Sequence, residues 1–250
     1  MQQLTSLSLT LKPVVPLDRS KQSKNLGPYL QGALMEQVDT DYAAYLHQLP
    51  FNPYSQFCYW NAENLIWKVN TLTNEAATQI VEPIRRLDSV FLKGIGTQFE
   101  VLKSSQETMG LKMLTDIVNE PSPTKVHIRF VTPTAFKSRG AYVMMPSVRL
   151  IAQNLLMHYG QVYDDNKEGY EETVDFIDRN VRILSYNLRS HYFDQAANGN
   201  NRIPAFIGSA TLGLRGPDLS VGLVRMLLKF GEYAGVGIKT SMGMGGFVCD

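Results

Sequence analysis

Few residues of this chain are suited to chemistry. The four histidines, His47, His127, His158 and His191, are scattered so that no two stand at metal-ligand spacing, and Cys58 and Cys249 are far apart. No zinc pattern forms, and neither HExxH nor a Walker phosphate loop occurs. What remains is a set of histidines able to move protons near neutral pH, a number of lysines and arginines, and one glycine-rich segment. Residues 231–247, GEYAGVGIKTSMGMGGF, carry Gly235, Gly237, Gly243, Gly245 and Gly246, with Lys239, Thr240 and Ser241 between them. Such a run offers bare backbone N–H groups that can surround phosphates. It follows an expected helix and precedes an expected strand, the reverse of a dinucleotide-binding loop. The same run also reads as a helix cap at Gly235 followed by turns.

The charges are unevenly placed. Net charge is +1, yet residues 125–163 hold five basic side chains and no acidic one. Residues 164–178 hold seven acidic side chains and one lysine, and residues 179–250 hold eight basic and four acidic. This reads as a localised anion-binding face flanked by an acidic insertion. Its alternative is an ordinary surface whose charges mix in three dimensions.

The elements that must position these residues follow from periodicity. With 250 residues, 44% of them hydrophobic, the chain suits one large core or two of roughly 100–150 residues. No apolar run approaches the ~18 residues of a membrane span, and the first residues do not resemble a signal peptide. A soluble cytoplasmic protein without a membrane partner is expected. Alternation makes residues 4–12 a strand. A helix is expected over 28–48, broken near Asp39–Asp41 and ending in His47. Strands at 55–60 and 65–71, a helix capped by Asn74 and a strand at 98–103 complete a first unit, with a short helix or loop at 109–118. After the proline-bearing linker NEPSPT (119–124), the order repeats. A strand at 126–131, a helix at 146–159, an extra acidic helix at 171–179, strands at 181–193 and 203–214, a helix at 219–233 capped by Asp218 and a strand at 243–249 are expected. The fold class is therefore α+β: two tandem ferredoxin-like βαββαβ units over 1–120 and 125–250.

Four segments, YLQGALM…YAAYLHQ, PTAFKSRGAYVMMPS, NRIPAFIGSATL and GEYAGVGIKTSMGMGGF, together resemble the CRISPR repeat-processing endoribonucleases of the RAMP superfamily. The variety resembled is the sixth-named Cas nuclease accompanying type III-A (Csm) systems, and the resemblance spans residues 4 to 250. It implies two ferredoxin-like domains and cleavage of precursor CRISPR RNA within each repeat, without a metal or other cofactor. Its partners would be CRISPR repeat RNA, a type III effector complex receiving the product, and a second copy in a homodimer. His47 matches the histidine at the end of the first helix. The tyrosine some members carry on that helix is Met35 here. No lysine follows His47 until Lys68, and Asn52 and Pro53 occupy the expected place.

The chemistry suits the inventory. RNA carries its own nucleophile, the 2′-hydroxyl, so an enzyme need only align it, move protons and stabilise the phosphorane. His47 is the proton-transfer candidate, with Lys24 as the second catalytic candidate. Lys21 and Lys239 are further candidates for holding charge. Lys137, Arg139, Arg189 and Arg202, with Thr240 and the backbone at Gly237, Gly243 and Gly245, are the expected RNA contacts. Tyr29 and Tyr54 lie near His47 in sequence and read equally as core. Two other functions compete: a non-catalytic RNA-binding RAMP subunit of an effector complex, and a nucleotide-binding enzyme using the glycine loop.

Overall fold

The computed structural model describes residues 2–22, 25–121, 123–163, 168–194 and 202–250. Strand β1 (Gln3–Pro13) buries Leu7, Leu9 and Leu11 on one face, as their alternation requires. A short helix α1 (Arg19–Gln22) leads to α2 (Gly27–Met35), which opens with Pro28 in its first turn, and α3 (Thr40–Gln48). The expected break between them is an N-cap: Asp39 has extended backbone angles, and its carboxylate accepts from Asp41 N and Tyr42 N at 2.9 and 3.2 Å. Strands β2 (Tyr54–Asn61) and β3 (Asn64–Thr71) form a hairpin. The next helix is irregular, passing from α4 (Asn74–Ala76) through a π-turn to α5 (Glu82–Arg85). Its cap is Thr73, not Asn74, because the Thr73 hydroxyl accepts from Ala76 N. Strand β4 (Ser89–Leu92), absent from the sequence expectation, pairs with β5 (Thr97–Gly110), itself longer than expected. The first sheet is antiparallel in the order β2-β3-β1-β5-β4.

Beyond α6 (Leu111–Asp116), the second half runs β6 (Lys125–Thr134), a small hairpin of β7 (Phe136–Ser138) and β8 (Ala141–Val143), α7 (Val148–Tyr163), α8 (Tyr170–Asn180), β9 (Val181–Asp194), β10 (Arg202–Leu214), α9 (Asp218–Ala234) and β11 (Phe247–Cys249). Its sheet order, β11-β6-β10-β9, is the ferredoxin-like arrangement. The first sheet has the same order once β4 is set aside as an added edge strand. The β7–β8 hairpin is not among the expected strands, and two further details depart from expectation. Pro217 is the N-cap of α9, with Asp218 in the first turn, where its charge suits the helix dipole. The last strand is only three residues because Gly243 and Gly245, at φ +98 and +67, take left-handed backbone angles that a strand does not hold.

The two halves share packing. Leu4, Leu72 and Leu114 are buried in the same cluster as the helices and strands of the second half. Helix α9 docks on the first sheet: Ser55 Oγ donates to Tyr233 O at 2.6 Å and Asn70 Nδ2 to Glu232 O at 3.2 Å. The acidic helix α8 is tied to α7 by Arg149, which pairs with Asp175 at 2.5 Å and with Glu171. One charge of the acid-free stretch is thereby neutralised. Among the described residues, no helix is long and apolar enough to cross a membrane.

Candidate nucleic-acid interface

His47 occupies the last turn of α3 and is exposed. No hydrogen bond or ion pair engages its ring among the described residues. The chain then turns through residues 49–53 into β2, and this turn touches the other half of the molecule. Asn52 Nδ2 donates to Ser241 Oγ at 3.3 Å. Ser241 also hydrogen-bonds Tyr54, whose hydroxyl accepts from Gln31 Nε2 at 3.5 Å. Tyr54 is 2% exposed, and burial pushes its phenol up, so it stays protonated and serves the joint rather than the solvent.

The glycine-rich loop is the other side of this joint. Gln56 Nε2 donates to Gly27 O at 2.8 Å and to Ser241 O at 3.2 Å, and Gln56 Oε1 accepts from Trp67 Nε1 at 2.8 Å. The expectation of bare amides facing phosphate needs correction at Gly237, Gly243 and Gly245. Gly237 N donates to Asn154 Oδ1, Gly243 N to Thr240 O and Gly245 N to Pro133 O. Thr240 is 7% exposed. These amides are satisfied within the protein because a buried amide without a partner is costly. Lys239 remains half-buried with Nζ 3.8 Å from Met242 Sδ.

A cleft runs between β2 and the second sheet. Ser209 of β10 pairs in register with Arg129 of β6 and Asn187 of β9, and Ile207 pairs with Arg189. Residues two apart share a face, so Arg129, Asn187 and Arg189 project together into a hollow of about 450 Å³, with Tyr59 opposite. Tyr59, Val131 and Ile207 also line an adjoining hollow of about 180 Å³ that reaches Asn25, Trp60 and His191. Cations beside an exposed aromatic suit an RNA strand, phosphates on arginine and a base on the ring. Arg189 was expected here. Arg129, Asn187 and Tyr59 were missed, although Arg129 stands in the acid-free stretch and alternates in its strand.

The other expected residues are dispersed. Lys137 and Arg139 are exposed on the β7–β8 hairpin, where Arg139 and Gly140 take the positive φ angles of a tight turn. Arg202 is paired with Asp194 at 2.8 Å, so its charge is partly spent. Lys21 lies in α1, which is fastened by Trp60 Nε1 donating to Gln22 O at 3.1 Å. Lys24 lies outside the described residues. His158 is buried against Phe51, ring centroids 4.1 Å apart, and burial pushes it down to about 4.

Comparison with known proteins bears on this arrangement. The family model for CRISPR-associated endoribonuclease Cas6 matches residues 128–247. A CRISPR-associated endoribonuclease Cas6 of Mycobacterium tuberculosis is 40% identical over 248 residues, 97% of this chain and 77% of that protein. The chain belongs to the Cas6 endoribonuclease family. A Cas6 of Streptococcus thermophilus is 38% identical over 90% of this chain and 91% of its own. Among solved structures, a Cas6 product complex superposes with a TM-score of 0.79 at 22% identity, covering 100% of both chains. Thermus thermophilus Cas6 superposes at 0.73, again at 22% identity, covering 100% of this chain and 99% of that one. The pair of ferredoxin-like units is thus the architecture of Cas6 structures.

Proposed function

We propose that the chain cuts precursor CRISPR RNA within its repeats by transesterification, with His47 as the proton-transfer group. The 2′-oxygen attacks the adjacent phosphorus, the bond to the 5′-oxygen breaks, and the products are a 2′,3′-cyclic phosphate and a 5′-hydroxyl. His47 is suited to take the 2′-proton or to supply one to the departing oxygen. The observation that carries this reading is an exposed, unengaged histidine ending a helix whose exit is pinned to the glycine-rich loop by Asn52 and Ser241. The loop's role in this reading is to hold the two halves at a fixed distance. Lys239, Lys21 and Lys24 are the candidates for holding charge. Arg129 and Arg189 in the cleft, with Lys137 and Arg139 on the hairpin, bind the RNA backbone.

In this reading, residues 1–120 carry catalysis and 125–250 carry the loop and most RNA contacts. The protein acts in the cytoplasm, pairs with a second copy and passes its product to a type III-A effector complex. The decisive experiment is single-turnover cleavage of repeat RNA in excess EDTA by the protein and its His47→Ala variant, with end-group analysis. A cyclic phosphate formed by the protein, and roughly 10²–10⁴-fold more slowly by the variant, is the expected result. Binding without any cleavage of cognate repeat RNA points instead to a non-catalytic RNA-binding subunit.

A further inference from the structure

A third hollow lies against the histidine-bearing helix. Its volume is about 240 Å³, and it is built from the end of α3, the turn after it, the start of α4 and the end of α7. It is smaller than the ~300 Å³ at which pockets for drug-sized ligands begin, which suits one planar ring system. Tyr45, 46% exposed, offers a ring face beside that of Tyr42, centroids 5.8 Å apart. Pro50 adds a flat apolar wall; besides Thr73, whose hydroxyl caps α4, the polar side chains are Glu75 and Gln161.

The polar groups define a pattern. Glu75 is exposed and, as a carboxylate, only accepts hydrogen bonds. No ion pair engages it among the described residues. The Tyr42 hydroxyl is buried with no hydrogen-bond partner. Burial, reinforced by the charge of Glu75, pushes the Tyr42 phenol up, so this group remains a donor. An acidic wall repels phosphate, so the occupant is a base rather than the RNA backbone. Among the four bases, guanine presents two adjacent N–H donors to a carboxylate and an acceptor oxygen next to them. Tyr45 and His47 are two residues apart in the last turns of α3 and so project to different sides of it. A base seated on Tyr45 therefore belongs to a nucleotide near the scissile phosphate and not to the reacting one.

We propose that this hollow is a guanine-recognition pocket for a nucleotide flanking the cleavage site. The inference rests on the reading of the chain as a repeat RNA endonuclease and adds the base it selects.

The test is a protein–RNA cycle read by affinity, so that it does not depend on catalysis. Repeat RNA is prepared with each guanine around the cleavage site replaced singly by inosine, which lacks the 2-amino group, or by an abasic unit. Filter binding compares the unaltered protein with Tyr45→Ala and Glu75→Gln, both at exposed positions. At one guanine, the abasic change should weaken binding to the unaltered protein by roughly 5- to 100-fold, the range of one stacked base, and inosine by less. Tyr45→Ala should lose a similar factor on intact RNA and show no further loss on the abasic RNA. Glu75→Gln should no longer distinguish guanine from inosine at that position. The proposal is overturned if both variants bind intact RNA as tightly as the unaltered protein. It is equally overturned if they lose the same factor on intact, inosine and abasic RNA, since that marks a merely structural role. An unaltered protein that binds no repeat RNA overturns the functional reading as well, whereas tight binding with no guanine preference overturns the pocket alone.

Discussion

Gly27 and Gly243 meet backbone to backbone across the boundary between the two halves. A Cβ on Gly27 would lie 2.4 Å from Met242 O and 2.9 Å from the Gly243 Cα, and one on Gly243 would lie 2.7 Å from the Gly27 Cα. Gly243 also has φ +98, a conformation side chains rarely adopt. The helix leading toward the histidine and the glycine-rich loop are held at a separation only glycine permits.

Gly243→Ala is therefore expected to destabilise the protein by about 2–4 kcal/mol, combining backbone strain with a clash that must push the halves apart. Gly27→Ala, with ordinary backbone angles, should act through the clash alone. The two effects should be less than additive because either substitution opens the same contact. Urea melts of both variants and their double provide the check; strict additivity would argue against a shared contact.

Replacing His47 by alanine should slow single-turnover cleavage by roughly 10²–10⁴-fold and leave the Kd for repeat RNA within a factor of about three. A wild-type rate in the variant would remove His47 from the chemistry. Substituting 2′-deoxy at the nucleotide 5′ of the scissile phosphate should stop the reaction in the unaltered protein.

Arg129→Ala and Arg189→Ala should each weaken RNA binding and make the logarithmic salt dependence shallower by roughly one. Arg202→Ala should change the slope less, because its guanidinium already pairs with Asp194. Titrations at several salt concentrations distinguish them, and equal slopes for all three variants would contradict the assignment of the cleft.

His158 gives the protein an acid sensitivity of known sign. Burial holds its folded-state pKa near 4, below the ordinary 6.5. Between these values the unfolded chain takes up a proton that the folded chain refuses, so stability falls as pH drops through that window. The loss approaches about 3 kcal/mol at pH 4. A His158→Leu variant should show a flatter stability profile between pH 6.5 and 4 in denaturant melts.

Local order was legible in the chain. The alternating leucines of β1, the aspartate breaking and capping the helix before His47, and the acidic α8 each depend on neighbours a few residues away, where periodicity and capping operate. The place of His47 in the last turn of a helix was legible the same way, while the role given to it rests on the resemblance. The tertiary structure decided what faces what. Arg129, Asn187 and Arg189 come from two strands and share a face only through their common partner strand β10. Tyr42, Glu75 and Gln161 meet because α7 of one half reaches α3 and α4 of the other. The loop glycines invited a phosphate-binding reading because their amides carry no side chains, and only packing showed those amides occupied by Asn154, Thr240 and Pro133. For Gly237 and Gly245 the partner is set by long-range docking, which residue types and spacing along one chain do not encode.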